Sequence, residues 1–256
     1  MLVQKRHDGR LRLFRQHDHA LVSGEAAAAW CGVGRDPESL PFELILATAL
    51  HDVAWRPLDR SPRLDPETGL PVSFHEYPVA EKVEAYRRGL DRAARIHPYA
   101  GLLGSLHYSS FPETQPLEEF QSREEARRRD LAERLGLGPE DDAGIRTHLR
   151  YLQLFDTFSI VLCLTPPCAS VETQPPWVDA ARHLEAPAGG TFHLTWVDDE
   201  VLHVDPFPFR DTLELRVPYR ELEGDRLGTA DALSTAWESA PEERWWVSVR
   251  SALRLA

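Results

Sequence analysis

The stretch Ala47-Thr48-Ala49-Leu50-His51-Asp52-Val53-Ala54-Trp55 decides how the rest of the chain is read. An apolar run ends in a His-Asp doublet, and a tryptophan stands three residues beyond the aspartate. Adjacent helical residues point about 100° apart, so His51 and Asp52 do not share a face. Both still reach an ion lying between their two directions. An imidazole nitrogen with a carboxylate oxygen is a mixed donor set that suits zinc, iron, manganese or cobalt. Taken alone, the doublet also reads as two polar residues on the surface of an amphipathic helix. The segments on either side bear on that choice.

Upstream, Asp36-Pro37-Glu38-Ser39 is a helix-start signature. The helix it opens carries Phe42, Leu44, Ile45, Leu46 and Leu50 and delivers the doublet at its end. Before it, Gln16-His17-Asp18-His19-Ala20 leads into an alanine-rich, helix-favouring segment that runs to Trp30, with Gly32 and Gly34 as its stop. His17 and His19 are two apart, so only one of them faces inward. Earlier still, Leu2-Val3 and Leu11-Arg12-Leu13-Phe14 flank Asp8-Gly9, the signal of a two-residue hairpin turn.

Downstream, residues 56–78 hold Pro57, Pro62, Pro66, Gly69, Pro71 and Pro78. A loop of that length is either a functional lid or a surface excursion. Val79 to Ile96 reads as an amphipathic helix with Val83, Tyr86, Leu90 and Ala94 on one stripe. His97-Pro98 ends it. Tyr99 to Tyr108 is a short, nearly uncharged helix, which implies burial and carries His107 inward. Residues 117–135 alternate Arg and Glu, a solvated helix face. A long helix follows Pro139 and runs to Leu164. It holds Asp156 among Leu154, Phe155 and Phe158, where a carboxylate needs a partner. An arginine, a backbone cap and a metal each meet that need.

After Pro175-Pro176 the periodicity changes from helical to alternating. Residues 191–204 read as a second hairpin, 212–219 and 245–249 as strands, and 229–238 as a short helix. His193 and His203 fall in strands and are assigned to packing or surface. The fold class expected is α+β. A helical domain spans 16–165, and a smaller antiparallel sheet combines residues 187–256 with the hairpin at 1–15, since a lone hairpin is marginal.

The 256 residues allow one large domain with a subdomain. A net charge of −12 and a pI near 5.4 argue against nucleic acid as a partner, because phosphate contacts need clustered positive charge. A small anionic substrate remains compatible. Three cysteines without a CxxC pattern indicate neither a disulfide framework nor a thiolate zinc site. Residues 1–15 carry no apolar segment and no long apolar run follows, so neither a signal peptide nor a membrane partner is expected. The setting expected is the cytoplasm.

Helical segments therefore supply, in chain order, His17 or His19, then His51-Asp52, then His107, then Asp156. That order resembles the HD superfamily of metal-dependent phosphohydrolases. The chain is more similar still to a bacterial HD-like family without an assigned reaction. The segments that carry this likeness are Gln16-His17-Asp18-His19-Ala20, His51-Asp52-Val53-Ala54-Trp55, Gly69-Leu70-Pro71-Val72-Ser73-Phe74, His97-Pro98-Tyr99-Ala100 through Ser105-Leu106-His107, and Asp156-Thr157-Phe158-Ser159.

The resemblance implies a divalent transition metal, iron, manganese or zinc, held by His19, His51, Asp52 and Asp156, with His107 lining the same cavity. It selects His19 over His17 because its histidine directly precedes alanine. One ion is favoured. A second would need a further histidine pair, for which His107 with His97 or His75 is available. The implied reaction is hydrolysis of a small phosphate ester or nucleotide, with Asp52 in the catalytic set and Arg56 as the cation for the phosphate. The alternatives are a non-catalytic metal- or ligand-binding module and a di-iron HD-like oxygenase.

Overall fold

The computed structural model describes residues 1–33, 39–187, 189–223 and 227–252. The helix-start signature at 36–38 and the stop at Gly34 lie outside the described residues. The chain begins with strands β1 (Leu2–Lys5) and β2 (Leu11–Phe14). Helices α1 (Gln16–Ala29), α2 (Phe42–Leu50), α3 (Val79–Ile96), α4 (Pro98–Ser109), α5 (Glu118–Leu135) and α6 (Asp142–Leu164) follow. Then come β3 (His183–Glu185), β4 (Thr191–Trp196), β5 (Val201–Asp205), β6 (Leu213–Leu222), α7 (Ala230–Ser239) and β7 (Glu243–Ser251). The class is α+β, as the change of periodicity implies.

Among the described residues the strands form one sheet in the order β1-β2-β6-β7-β5-β4-β3. The first hairpin joins it through Leu11↔Leu222 and Leu13↔Arg220. The sheet is mixed rather than antiparallel throughout, because β5 pairs with β7 in parallel. The reason is topological. Strand β7 inserts between β6 and β5, which run in opposite directions, so it must be parallel to one of them. The first hairpin also departs from the expected two-residue turn. Lys5 pairs with Leu11, which leaves a five-residue connection closed by Arg6 N–H to Arg10 O at 2.8 Å, with Gly9 at φ +86°.

One apolar core runs from the helices into the sheet, from Val22, Leu44, Leu103 and Leu152 to Leu215, Val217 and Val247. Helix α3 forms from the stripe the sequence predicts, burying Val83, Tyr86 and Leu90. The helices close in through small residues. A Cβ on Gly24 of α1 would stand 2.5 Å from Ala49 Cβ, and one on Gly89 of α3 would stand 2.3 Å from Ala54 Cα. Two helices thereby press directly on the segment that carries the doublet. The 56–78 loop is ordered by 3-10 turns at Leu58–Arg60 and Phe74–Glu76 and by Val72 N–H to Arg63 O at 2.7 Å.

Candidate metal centre

His51 caps the C-terminus of α2, and the chain then tightens into a 3-10 turn over Val53–Trp55. This change of winding brings both halves of the doublet inward. His51 and Asp52 are 3% and 4% exposed, and His19 on α1 is fully buried. His19 Nε2 stands 2.9 Å from Asp52 Oδ2, and His51 Nε2 stands 3.2 Å from Asp156 Oδ1 on α6. His107 on α4 completes the ring, its Nε2 3.5 Å from Asp156 Oδ2. The order read along the chain thus becomes one cluster in space.

The remaining hydrogen bonds fix which ring nitrogens carry protons. His51 Nδ1 donates to Thr48 O at 2.7 Å, so Nε2 is the nitrogen that offers a lone pair once the ring gives up its second proton. Ser159 Oγ donates to Asp156 O at 2.9 Å and stands 2.7 Å from His19 Nδ1, so the network assigns the His19 proton to Nδ1. Each histidine then turns toward a carboxylate oxygen the nitrogen that is bare in the neutral ring. Two lone pairs about 3 Å apart repel unless a proton or a metal ion lies between them. With metal–ligand bonds of about 2.0–2.2 Å, two ligands at right angles sit about 3 Å apart. His19, His51 and Asp156 each offer one ligand atom, all within 4.8 Å of one another. This buried group could hold a metal ion. Asp52 Oδ2 borders it, 2.9 Å from His19 Nε2 and 3.9 Å from His51 Nε2.

The two carboxylates make the cluster favour positive charge. Burial alone would lower the His51 pKa, but the carboxylates of Asp156 and Asp52 outweigh it and hold the ring at about 9. Asp156 is held well below the usual carboxylate range: burial would raise it, and His51 and His107 overcome that. His107 has burial as its main influence and is pushed down to about 4, which keeps it neutral. Its Nδ1 is buried without a hydrogen-bond partner.

Several supporting residues were not assigned roles from sequence. Tyr108 Oη lies 2.7 Å from His51 O and 3.0 Å from Asp52 Oδ1, and its proton is offered to both. Gln16 Nε2 donates to Asp52 Oδ2 at 3.0 Å. Ser159 had a readable signal, since it stands three residues after Asp156 and shares its helix face.

The cluster opens on a cavity of about 560 Å³. Asp52, His107 and Asp156 line its floor. Trp55, Phe74, Tyr77, Tyr86, Phe111 and Trp177 form much of its wall. Lys82 also reaches the wall, 5% exposed and 2.9 Å from Glu113. Arg56 does not. It is exposed and lines a separate cavity together with His17. Among the described residues, the lysine or arginine lining this cavity is therefore Lys82 of α3, not the arginine that follows the doublet. The 3-10 turn after Asp52 carries Arg56 away. His75 lines the metal cavity, whereas His97 caps α4 with Nδ1 3.2 Å from Tyr99 N.

A family model described as "Protein of unknown function (DUF3891)" matches residues 1–224. The chain belongs to that family. No curated protein and no solved structure matches it. The family match spans every residue of the cluster, and no reaction comes with it. Among the described residues, no helix is long and apolar enough to cross a membrane.

Proposed function

We propose that this family member is a metal-dependent phosphohydrolase of the HD type, acting on a small phosphate ester. One observation carries the reading. Two buried histidines, each with its far nitrogen tied to the protein, converge with Asp156, and Asp156 and the bordering Asp52 line a cavity large enough for a small molecule. His19, His51, Asp52 and Asp156 would hold the ion. Nitrogen and carboxylate donors suit iron, manganese or zinc. Once bound, such an ion supplies a Lewis acid and brings the pKa of water toward neutrality.

The chain's own residues do the rest. Gln16 and Tyr108 orient Asp52 from two sides. Burial and the adjacent Asp52 charge hold the Tyr108 hydroxyl well above its ordinary pKa, so it stays a donor. Lys82 can turn its ammonium from Glu113 toward the phosphate oxygens, and the aromatic wall excludes water from the ester's body. Neutral His107 faces the same space with an uncommitted ring nitrogen. A cytoplasmic setting and a small anionic substrate belong to this reading. The free thiols of Cys31, Cys163 and Cys168 are compatible with a reducing compartment.

The test begins with metal content, which should approach one ion per chain. Phosphate release from a panel of phosphomonoesters and nucleotides should appear with added manganese. It should vanish in Asp52→Ala while the circular dichroism spectrum is retained. A fully metal-loaded protein that is inert across the panel would overturn the hydrolase and favour a binding module.

A further inference from the structure

A second cavity, of about 430 Å³, lies where the start of α1, the turn after the doublet, β6 and α7 meet. It shares no lining residue with the metal cavity. Its walls bring together Arg15, Arg56, Arg60 and Arg220 with His17, against Asp18, Asp59 and the exposed Glu238. In a chain of net charge −12, four guanidinium groups around one hollow call for an explanation.

The partners of each group narrow it. Arg15 is matched by Asp18 at 3.2 Å and Glu242 at 2.9 Å. Asp59 is turned inward and accepts from Gln16 N–H at 2.7 Å. Arg220 donates through Nη1 to Trp237 O and lies over the Trp237 ring, 4.8 Å from its centroid. Its Nε is buried with no hydrogen-bond partner, and so is His17 Nδ1. Arg56 and Arg60 make no ion pair among the described residues. The hollow thus has two unpaired guanidinium groups and two unsatisfied ring or guanidine nitrogens.

A guanidinium without a carboxylate keeps its two-pronged donor edge for an oxyanion. We propose that this cavity binds the phosphate group of a small molecule through Arg56 and Arg60, with Arg220 and His17 behind them. Its volume exceeds what the oxyanion needs, which leaves room for an organic body and makes a phosphate ester the better ligand than free phosphate. The site is independent of the hydrolase reading, because the two cavities share no lining residue.

Calorimetric titration of metal-stripped protein with inorganic phosphate, and separately with glycerol 3-phosphate, tests the assignment. The expected result is saturable binding, tighter for the ester. Loss of two charge-assisted partners should weaken it at least about tenfold in Arg56→Ala/Arg60→Ala. The milder Arg56→Gln/Arg60→Gln should lose as much, with the circular dichroism spectrum of both variants unchanged. Gln153→Ala, altered in the other cavity at a residue without a role in its chemistry, should bind the ester as the parent does. The proposal fails if neither anion binds below about 10 mM. It also fails if the arginine variants bind normally, or if Gln153→Ala is the variant that loses binding.

Discussion

The two cavities on either side of the start of α1 are made of opposite materials. One has aromatic walls over a floor of histidines and aspartates; the other is ringed by guanidinium groups. Gln16 belongs to both surroundings, since its backbone N–H meets Asp59 and its side chain meets Asp52. His17 and His19 then turn to opposite sides. The fully buried ring finds carboxylates, a serine and a bare nitrogen for a cation. The half-buried one finds Arg56, and burial together with that charge pushes it down to about 4. Identical side chains two residues apart thus acquire different chemistry from what faces them.

The largest expected effect breaks this contrast at its source. His19→Ala should strip the metal, lowering affinity by more than about 100-fold, since even partners behind the ligands are worth 10–100-fold. His17→Ala should retain near-stoichiometric metal. Elemental analysis of both purified variants decides it, and equal loss in both would erase the distinction between the two sides.

A smaller effect sharpens it. Ser159→Ala removes the acceptor that orients His19 without touching a ligand, so metal affinity should fall by about 10–100-fold. A competition titration with a chromophoric chelator measures this. Parent-like affinity would show that packing alone holds the ring.

The pH dependence of the metal-free protein has two limbs. His51 at about 9 in the folded chain lies above its ordinary 6.5. Its stabilising contribution is complete below 6.5 and is lost as pH rises through 9. The full loss is on the order of 3 kcal/mol. His107, held at about 4, has the opposite sign: its contribution is present above 6.5 and fades as pH falls toward 4. Urea unfolding from pH 4 to 9.5 should therefore peak near neutrality, and Asp156→Asn should flatten the alkaline limb. A parent whose stability rises from pH 7 to 9 would contradict the assignment.

The mildest change is Gly89→Ala. Its Cβ would meet the backbone of Ala54, and overpacking of this kind costs about 1–3 kcal/mol. A lower urea midpoint with metal still bound is expected. An unchanged midpoint would mean that α3 can move off the doublet segment freely.

Much of the helical half was legible. Val79–Ile96 has the same ends in sequence and structure because its stripe is regular and His97-Pro98 ends it. His19, His51, His107 and Asp156 meet in space because each lies in or at the end of an apolar helical segment, where burial is readable. What escaped depended on contacts across the chain. Lys82 lies off the stripe of Val83, Tyr86, Leu90 and Ala94, and only Glu113 and the cavity wall reveal its burial. Arg56 reads as a neighbour of the doublet until a three-residue turn swings it away. Strand β3 is only His183–Glu185, too short for a period to show, and exists because Leu184 pairs with Phe192. The parallel pairing of β5 with β7 depends on register and insertion order, which composition does not encode.

The join between β2 and β6 also has a consequence in time. On the side away from β1, Leu11, Arg12 and Leu13 pair with Leu222, Glu221 and Arg220. At ordinary rates of synthesis the hairpin waits roughly 10–40 s before that strand exists. Throughout the wait it presents an unpaired edge carrying two leucines that end fully buried. Pairings so distant along the chain also form slowly once both halves are present. The newborn chain is thus most exposed to aggregation while its helices, and the cluster they carry, can already be assembling.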